Sequence, residues 1–195
     1  MLASITPLGE RARRSNWTAT TVFYLVGSTA AGAAGGLLAG LLGSLVLGAL
    51  NAGARLAIVA AALAAGLLLE LAHGAVPGPR RQVNEQWLDR YRGWVYGLGF
   101  GAQLGAGVTT VVVSSAVYVV WLAALASAHA QTGLVIGAAA GALRGATVLA
   151  GARVLTPSAL MAFHERMGAL ERPVRAAGLS AQLALAALAV VAVVV

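Results

Sequence analysis

The chain predicts an all-α fold, a polytopic helical membrane bundle of about five transmembrane helices. Three observations predict it. Of its 195 residues, 59% are hydrophobic and 10% charged, against roughly 25% charged in a soluble domain, and the mean hydropathy is +0.85. Small residues recur at every fourth position along three apolar stretches: Ser28, Gly32, Gly36, Gly40, Ser44 and Gly48; Gly93, Gly97, Gly101 and Gly105; Gly133, Gly137, Gly141 and Gly145. The arginines, finally, concentrate in alternate connections between those stretches. In water a glycine inside a helix costs roughly 1 kcal/mol against alanine. A bilayer enforces the helix regardless, because an unsatisfied backbone group in hydrocarbon costs several kcal/mol. Residues four apart share a helix face, so each ladder is a flat groove in which a neighbouring backbone can come close.

Residues 1–195 read as one integral membrane domain. Arg11, Arg13 and Arg14 precede a hydrophobic run from Trp17 to Gly48. That run far exceeds the roughly 7–15-residue core of a signal peptide, so it reads as an uncleaved first span. Spans are expected at about 18–48, 52–73, 94–127, 132–153 and 175–195. A crossing helix needs about 20 apolar residues. The first and third runs exceed this, so they either tilt or break at their glycines. Arg80, Arg81, Arg90 and Arg92 lie between spans two and three, and Arg153, Arg166, Arg172 and Arg175 between spans four and five. The turn at Asn51 brings only Arg55, and the turn from Ser127 to Thr132 has no arginine. The positive-inside rule then places the N-terminus in the cytoplasm and the C-terminus outside. Thr156-Pro157 is a helix start, after which Leu160, Phe163, Met167 and Leu170 share a face opposite His164, Glu165, Glu171 and Arg172. Val83, Trp87 and Tyr91 repeat the pattern. Both segments, about 82–92 and 158–172, read as helices lying on the inner membrane surface. Trp17, Trp87, Tyr91 and Trp94 fit an inner aromatic belt, Tyr118 and Trp121 an outer one.

A basic segment, a glycine-laddered span, a short turn and a second span occur twice, with Tyr24-Leu25-Val26-Gly27 echoed by Tyr96-Gly97-Leu98-Gly99. The echo has two readings, an internal tandem repeat running in one direction or chance within Ala/Gly-rich sequence. All 13 basic residues are arginine, which with the abundance of Ala and Gly points to the codon bias of a high-GC bacterium and hence to a bacterial inner membrane.

Composition also excludes functions. With no cysteine there is no disulfide, thiolate metal site or thiol redox chemistry in the chain. The net charge of +7 sits beside apolar spans, where it orients helices rather than binding nucleic acid. HExxH, GxxxxGK[ST] and a Ser/His/Asp set are all missing from the sequence, and a membrane enzyme would need clustered acids, histidines or cysteines at one depth. Neither enzymatic activity nor a metal or cofactor is expected. Apart from the bilayer, the expected partners are further copies of the chain or other membrane subunits.

The candidate site residues follow from cost. Arg144 sits mid-span on the third ladder, where insertion scales charge about 2.5–3.5 kcal/mol. It is an anion-attracting charge in a central cavity, an arginine paired with a carboxylate or with carbonyls freed at a helix break, or one that snorkels to an interface. Gln103, Thr109, Thr110, Ser114 and Ser115 form a polar run in span three, either helix-packing contacts or a solute path, and of these Gln103, Thr109 and Ser114 join Arg144 as candidate substrate contacts. Glu70 and His73 share one face near the end of span two, as a proton or ion pair or as an interfacial pair meeting solvent. Glu70 also neutralises Arg144 if the two helices pack together.

The stretch from Tyr96 to Gly105, Tyr-Gly-Leu-Gly-Phe-Gly-Ala-Gln-Leu-Gly, resembles the glycine-aromatic opening of a core helix in the cytochrome c biogenesis transmembrane proteins of the CcdA and DsbD kind, and in the related LysE and sulfite-exporter group. Val22-Phe23-Tyr24-Leu25-Val26-Gly27 resembles another of their helices. The resemblance implies a compact six- or eight-span bundle. Ala106 and Gly107 stand where the family's Pro-Cys element would fall, so it implies transport or an accessory role without electron transfer. Two functions are therefore expected in competition: a small-solute, anion-selecting transporter or exporter, and a non-catalytic scaffold or accessory subunit of a larger membrane complex. The first predicts a polar cavity near Arg144 and Gln103, the second a glycine ladder left facing lipid.

Overall fold

The computed structural model describes residues 5–73, 86–107 and 114–194, and every element in them is helical. Helix α1 (Pro7–Ala12) starts at Thr6, whose hydroxyl accepts from the Gly9 amide at 3.2 Å, with proline in its first turn. Arg14, at φ 56, turns the chain into α2 (Trp17–Val46), where the Asn16 side chain accepts from the amides of Thr18 and Ala19. α2 runs 30 residues unbroken. α3 (Ala52–His73) begins at Asn51, whose side chain accepts from the Ala54 amide at 2.8 Å. α4 (Trp87–Arg90) is a single turn before α5 (Gly93–Ala106). α6 (Ala116–Ala126), α7 (Ala130–Ala146) with a 3-10 turn after it (Thr147–Gly151), and α8 (Pro157–Val194) complete the chain. Four helical stretches are long and apolar enough to cross a membrane: Trp17–Val46, Ala52–Ala72, Ala130–Gly151 and Pro157–Ala192.

α2 is the hub, and the glycines explain why it stays helical. Gly97, Gly101 and Gly105 of α5 abut the backbone of Thr20, Tyr24 and Ser28, so α5 runs parallel to the first half of α2. Gly133, Gly137 and Gly141 of α7 abut the backbone of Gly36, Gly32 and Ser28, so α7 runs antiparallel to it. A Cβ added at any of these six glycines would come closer than 3.0 Å to a backbone atom of α2. The first and third ladders therefore pack against each other, and the second packs beside them on the same helix. The expected grooves are filled by the chain's own backbones. Gly48 lies past the end of α2, and the Ser44 hydroxyl turns back to the Leu41 carbonyl, so the first ladder stops short of its last two rungs.

The third expected span is two helices. α5 ends on Gly107, which takes a left-handed conformation at φ 72 open to glycine at no steric cost, and α6 begins after Ser115. At 14 and 11 residues, α5 and α6 each fall short of a crossing. The proposed copies of a repeat thus differ, since α2 is continuous where its counterpart breaks. The inner-surface segment 158–172 and the fifth span are likewise one helix, α8, with Pro173 inside it. Of the earlier surface segment, 82–85 and with it Val83 lie outside the described residues.

Two ends can be recognised. At one, the Leu8 amide bonds the Val154 carbonyl, and Ile5, Tyr24, Tyr96, Phe100 and Val148 form an aromatic core. Trp87 stacks on Phe100 there, with ring centroids 6.0 Å apart. At the other end, Arg55 donates to the Ser127 carbonyl at 3.1 Å and ties together the two arginine-poor turns. Trp121, expected in an outer belt, lies against Gly35, where the missing Cβ leaves room for its ring.

Candidate functional site

Arg144 is positioned by the ladder beneath it. The Ser28 hydroxyl donates to the Gly141 carbonyl at 2.6 Å and fixes α7 on α2 at that level. Gly145 rests on the Ser28 side chain, and the arginine one residue earlier reaches toward the break between α5 and α6. Its Nη1 lies 3.3 Å from where a Cβ of Gly107 would stand. It borders a cavity of about 220 Å³ whose walls, Gly107, Val117, Val120, Trp121 and Ala140, are apolar, in place of the polar cavity expected near Arg144 and Gln103. Arg144 is half-buried, and among the described residues no carboxylate lies within 4.0 Å of it. Gly105 and Gly107 at the C-terminal end of α5 border the same cavity, and the negative end of a helix favours a cation.

Glu70 is 5% exposed and answered elsewhere. It accepts from the Ser114 hydroxyl at 2.9 Å, from the Ser115 amide and from Gln182 Nε2 at 3.5 Å. Ser115 Oγ donates to Gln182 Oε1 at 2.8 Å, and Gln182 Nε2 to Ser114 Oγ at 3.1 Å. Arg175 Nη2 approaches the Glu70 carbonyl at 3.3 Å. A carboxylate at the N-terminus of α6 satisfies amides that the helix leaves open. The cluster fastens α3, α6 and α8 together, and it does not pair with Arg144.

The sequence-predicted site is thus divided. Arg144 lines the cavity, while Ser114 belongs to the Glu70 cluster. Gln103 is half-buried on α5 and does not border the cavity. Thr109 and Thr110 lie outside the described residues, as does the His73 side chain at the end of α3. Among the described residues no three His, Asp or Glu side chains come together to hold a metal.

Two residues escaped the sequence reading. Gln182, an amide within an apolar span, carried the same signal of cost as Gln103. Glu10 was hidden among the N-terminal arginines. It is 0% exposed and accepts from Tyr96 Oη at 2.6 Å, Thr20 Oγ1 at 2.7 Å and Arg13 Nη2 at 2.6 Å, joining α1, α2 and α5. Burial works against the charge of Arg13, but hydrogen bonds to Glu10 and Tyr96 and the attraction of Glu10 outweigh it and raise the guanidinium pKa above its ordinary value.

Comparison with protein-family models, with the curated proteins and with the solved structures gives no match.

Proposed function

We propose that the chain is a small-solute transporter or exporter of the bacterial inner membrane, selecting anions at Arg144. One observation carries this reading: a half-buried arginine with no carboxylate partner among the described residues borders a cavity where α5 ends. A charge that deep is expensive unless a partner or a cavity answers it. Interrupted helices line solute sites in many transporters. In this reading Arg144 supplies the attraction, and the end of α5 at the left-handed Gly107 leaves room for the anion beside it. The apolar walls favour a small anion that sheds its water readily. The resemblance to the sulfite-exporter group points the same way. The arginine-rich end faces the cytoplasm, which puts the N-terminus inside and the C-terminus outside.

The test is uptake into proteoliposomes of a panel of small anions: chloride, nitrate, acetate and sulfite. Arg144→Gln is expected to lower uptake about tenfold or more while the protein still inserts. Equal uptake by the variant would overturn the reading.

The alternative, a non-catalytic membrane subunit, is favoured by α8, which packs on α3 and leaves most of its length bare. It predicted an open glycine ladder, whereas the rungs of α5 and α7 are occupied within the chain. Purification as a lone, monodisperse monomer would count against it.

A further inference from the structure

A second concavity lies at the arginine-rich end, where α2 begins. It measures about 580 Å³ and is lined by Arg13, Arg14, Arg90, Arg92, Asn16 and Trp94 among others. Among the described residues its lining contains no acidic side chain, and Glu10 lies buried behind it. Arg13 is engaged by Glu10 at the rim. Arg14, Arg90 and Arg92 have no carboxylate within 4.0 Å among the described residues. Three exposed arginines lining one hollow repel one another unless an anion sits between them, and guanidinium matches phosphate oxygens in a two-pronged geometry.

The surface beside the hollow identifies the anion's carrier. From Ala19 an exposed stripe continues up α2 through Phe23 and Val26, and from Trp94 up α5 through Leu98. The Phe23 and Trp94 rings meet at 5.8 Å between the two parallel helices. A charged hollow therefore adjoins an exposed apolar stripe that follows α2 and α5. A free phosphate would use the arginines and leave the apolar stripe idle. A phospholipid uses both.

The geometry points to a binding site for an anionic phospholipid, its phosphate held by Arg14, Arg90 and Arg92 and one acyl chain laid along Phe23, Val26 and Leu98. Basic pockets beside membrane helices recognise such head groups. The inference rests on the membrane reading and not on transport.

The experiment titrates the full chain, purified in neutral detergent, with phosphatidylglycerol, phosphatidylcholine and inorganic phosphate, and reads bound lipid by native mass spectrometry. Phosphatidylglycerol is expected to bind about tenfold tighter than phosphatidylcholine, and millimolar phosphate to leave it in place. The combined variant Arg14→Gln, Arg90→Gln, Arg92→Gln should erase that preference. The same loss of charge elsewhere, Arg153→Gln, Arg166→Gln, Arg172→Gln, should keep it. Equal binding of the two lipids, equal loss in both variants, or displacement of phosphatidylglycerol by phosphate would each overturn the assignment, the last in favour of a free phosphate site. Should the pocket variant fail to accumulate, the lipid comparison and the phosphate competition on the unchanged chain decide alone.

Discussion

Glu10 and Arg144 are both charges taken largely out of water, and they are treated in opposite ways. Glu10 is enclosed and receives hydrogen bonds from three side chains. Removing its charge leaves Arg13 half-buried without its counter-ion. Glu10→Gln is expected to cost about 2–3 kcal/mol of stability, read as a fall in the thermal unfolding midpoint in detergent. Arg144 keeps its charge beside a cavity, so its replacement should touch uptake and spare stability. Arg144→Gln should unfold within about 1 kcal/mol of the parent chain, because a neutral amide beside apolar walls costs less than a charge. A large loss of stability in that variant would mark Arg144 as a structural residue. The same contrast shows what could be read in advance. Arg144 stood out because one residue broke an apolar run. Glu10 did not, because its significance lies in Thr20 and Tyr96, which a linear reading does not bring beside it.

Among the helices, the ladders were legible because helical spacing writes a face directly into the sequence. What the sequence left open was where each face would turn, and the answer is that α5 and α7 both turn to α2. Gly36→Ala and Gly137→Ala each place a methyl group into a facing backbone. Each should destabilise the protein by about 1–3 kcal/mol, the range for overpacking a tight contact. Gly168→Ala and Gly178→Ala on α8 meet nothing within 4 Å, and alanine is the better helix former, so neither should lower the unfolding midpoint. If all four variants behaved alike, the ladders would not be contacts. The interruption after Ala106 was one of two alternatives for an overlong run. The Glu70, Ser114, Ser115 and Gln182 cluster was beyond reach, because it draws on three segments whose proximity only the fold supplies.

For the molecule as a whole, orientation can be measured without disturbing anything, because the chain contains no cysteine. Asn51→Cys and His129→Cys should react with an impermeant maleimide added to intact cells, and Ser158→Cys only after permeabilisation. The reverse pattern would invert the topology. Register is the deeper question. A surface made of bare backbone looks the same after each turn, so shape alone would let α7 dock one turn, about 5.4 Å, higher or lower with nearly equal fit. What breaks the monotony is Ser28, the non-glycine rung at the contact with α7 and the one whose hydroxyl finds the Gly141 carbonyl. A single oxygen thus acts as the index mark on an otherwise uniform rail, and the height at which Arg144 comes to rest is inherited from it.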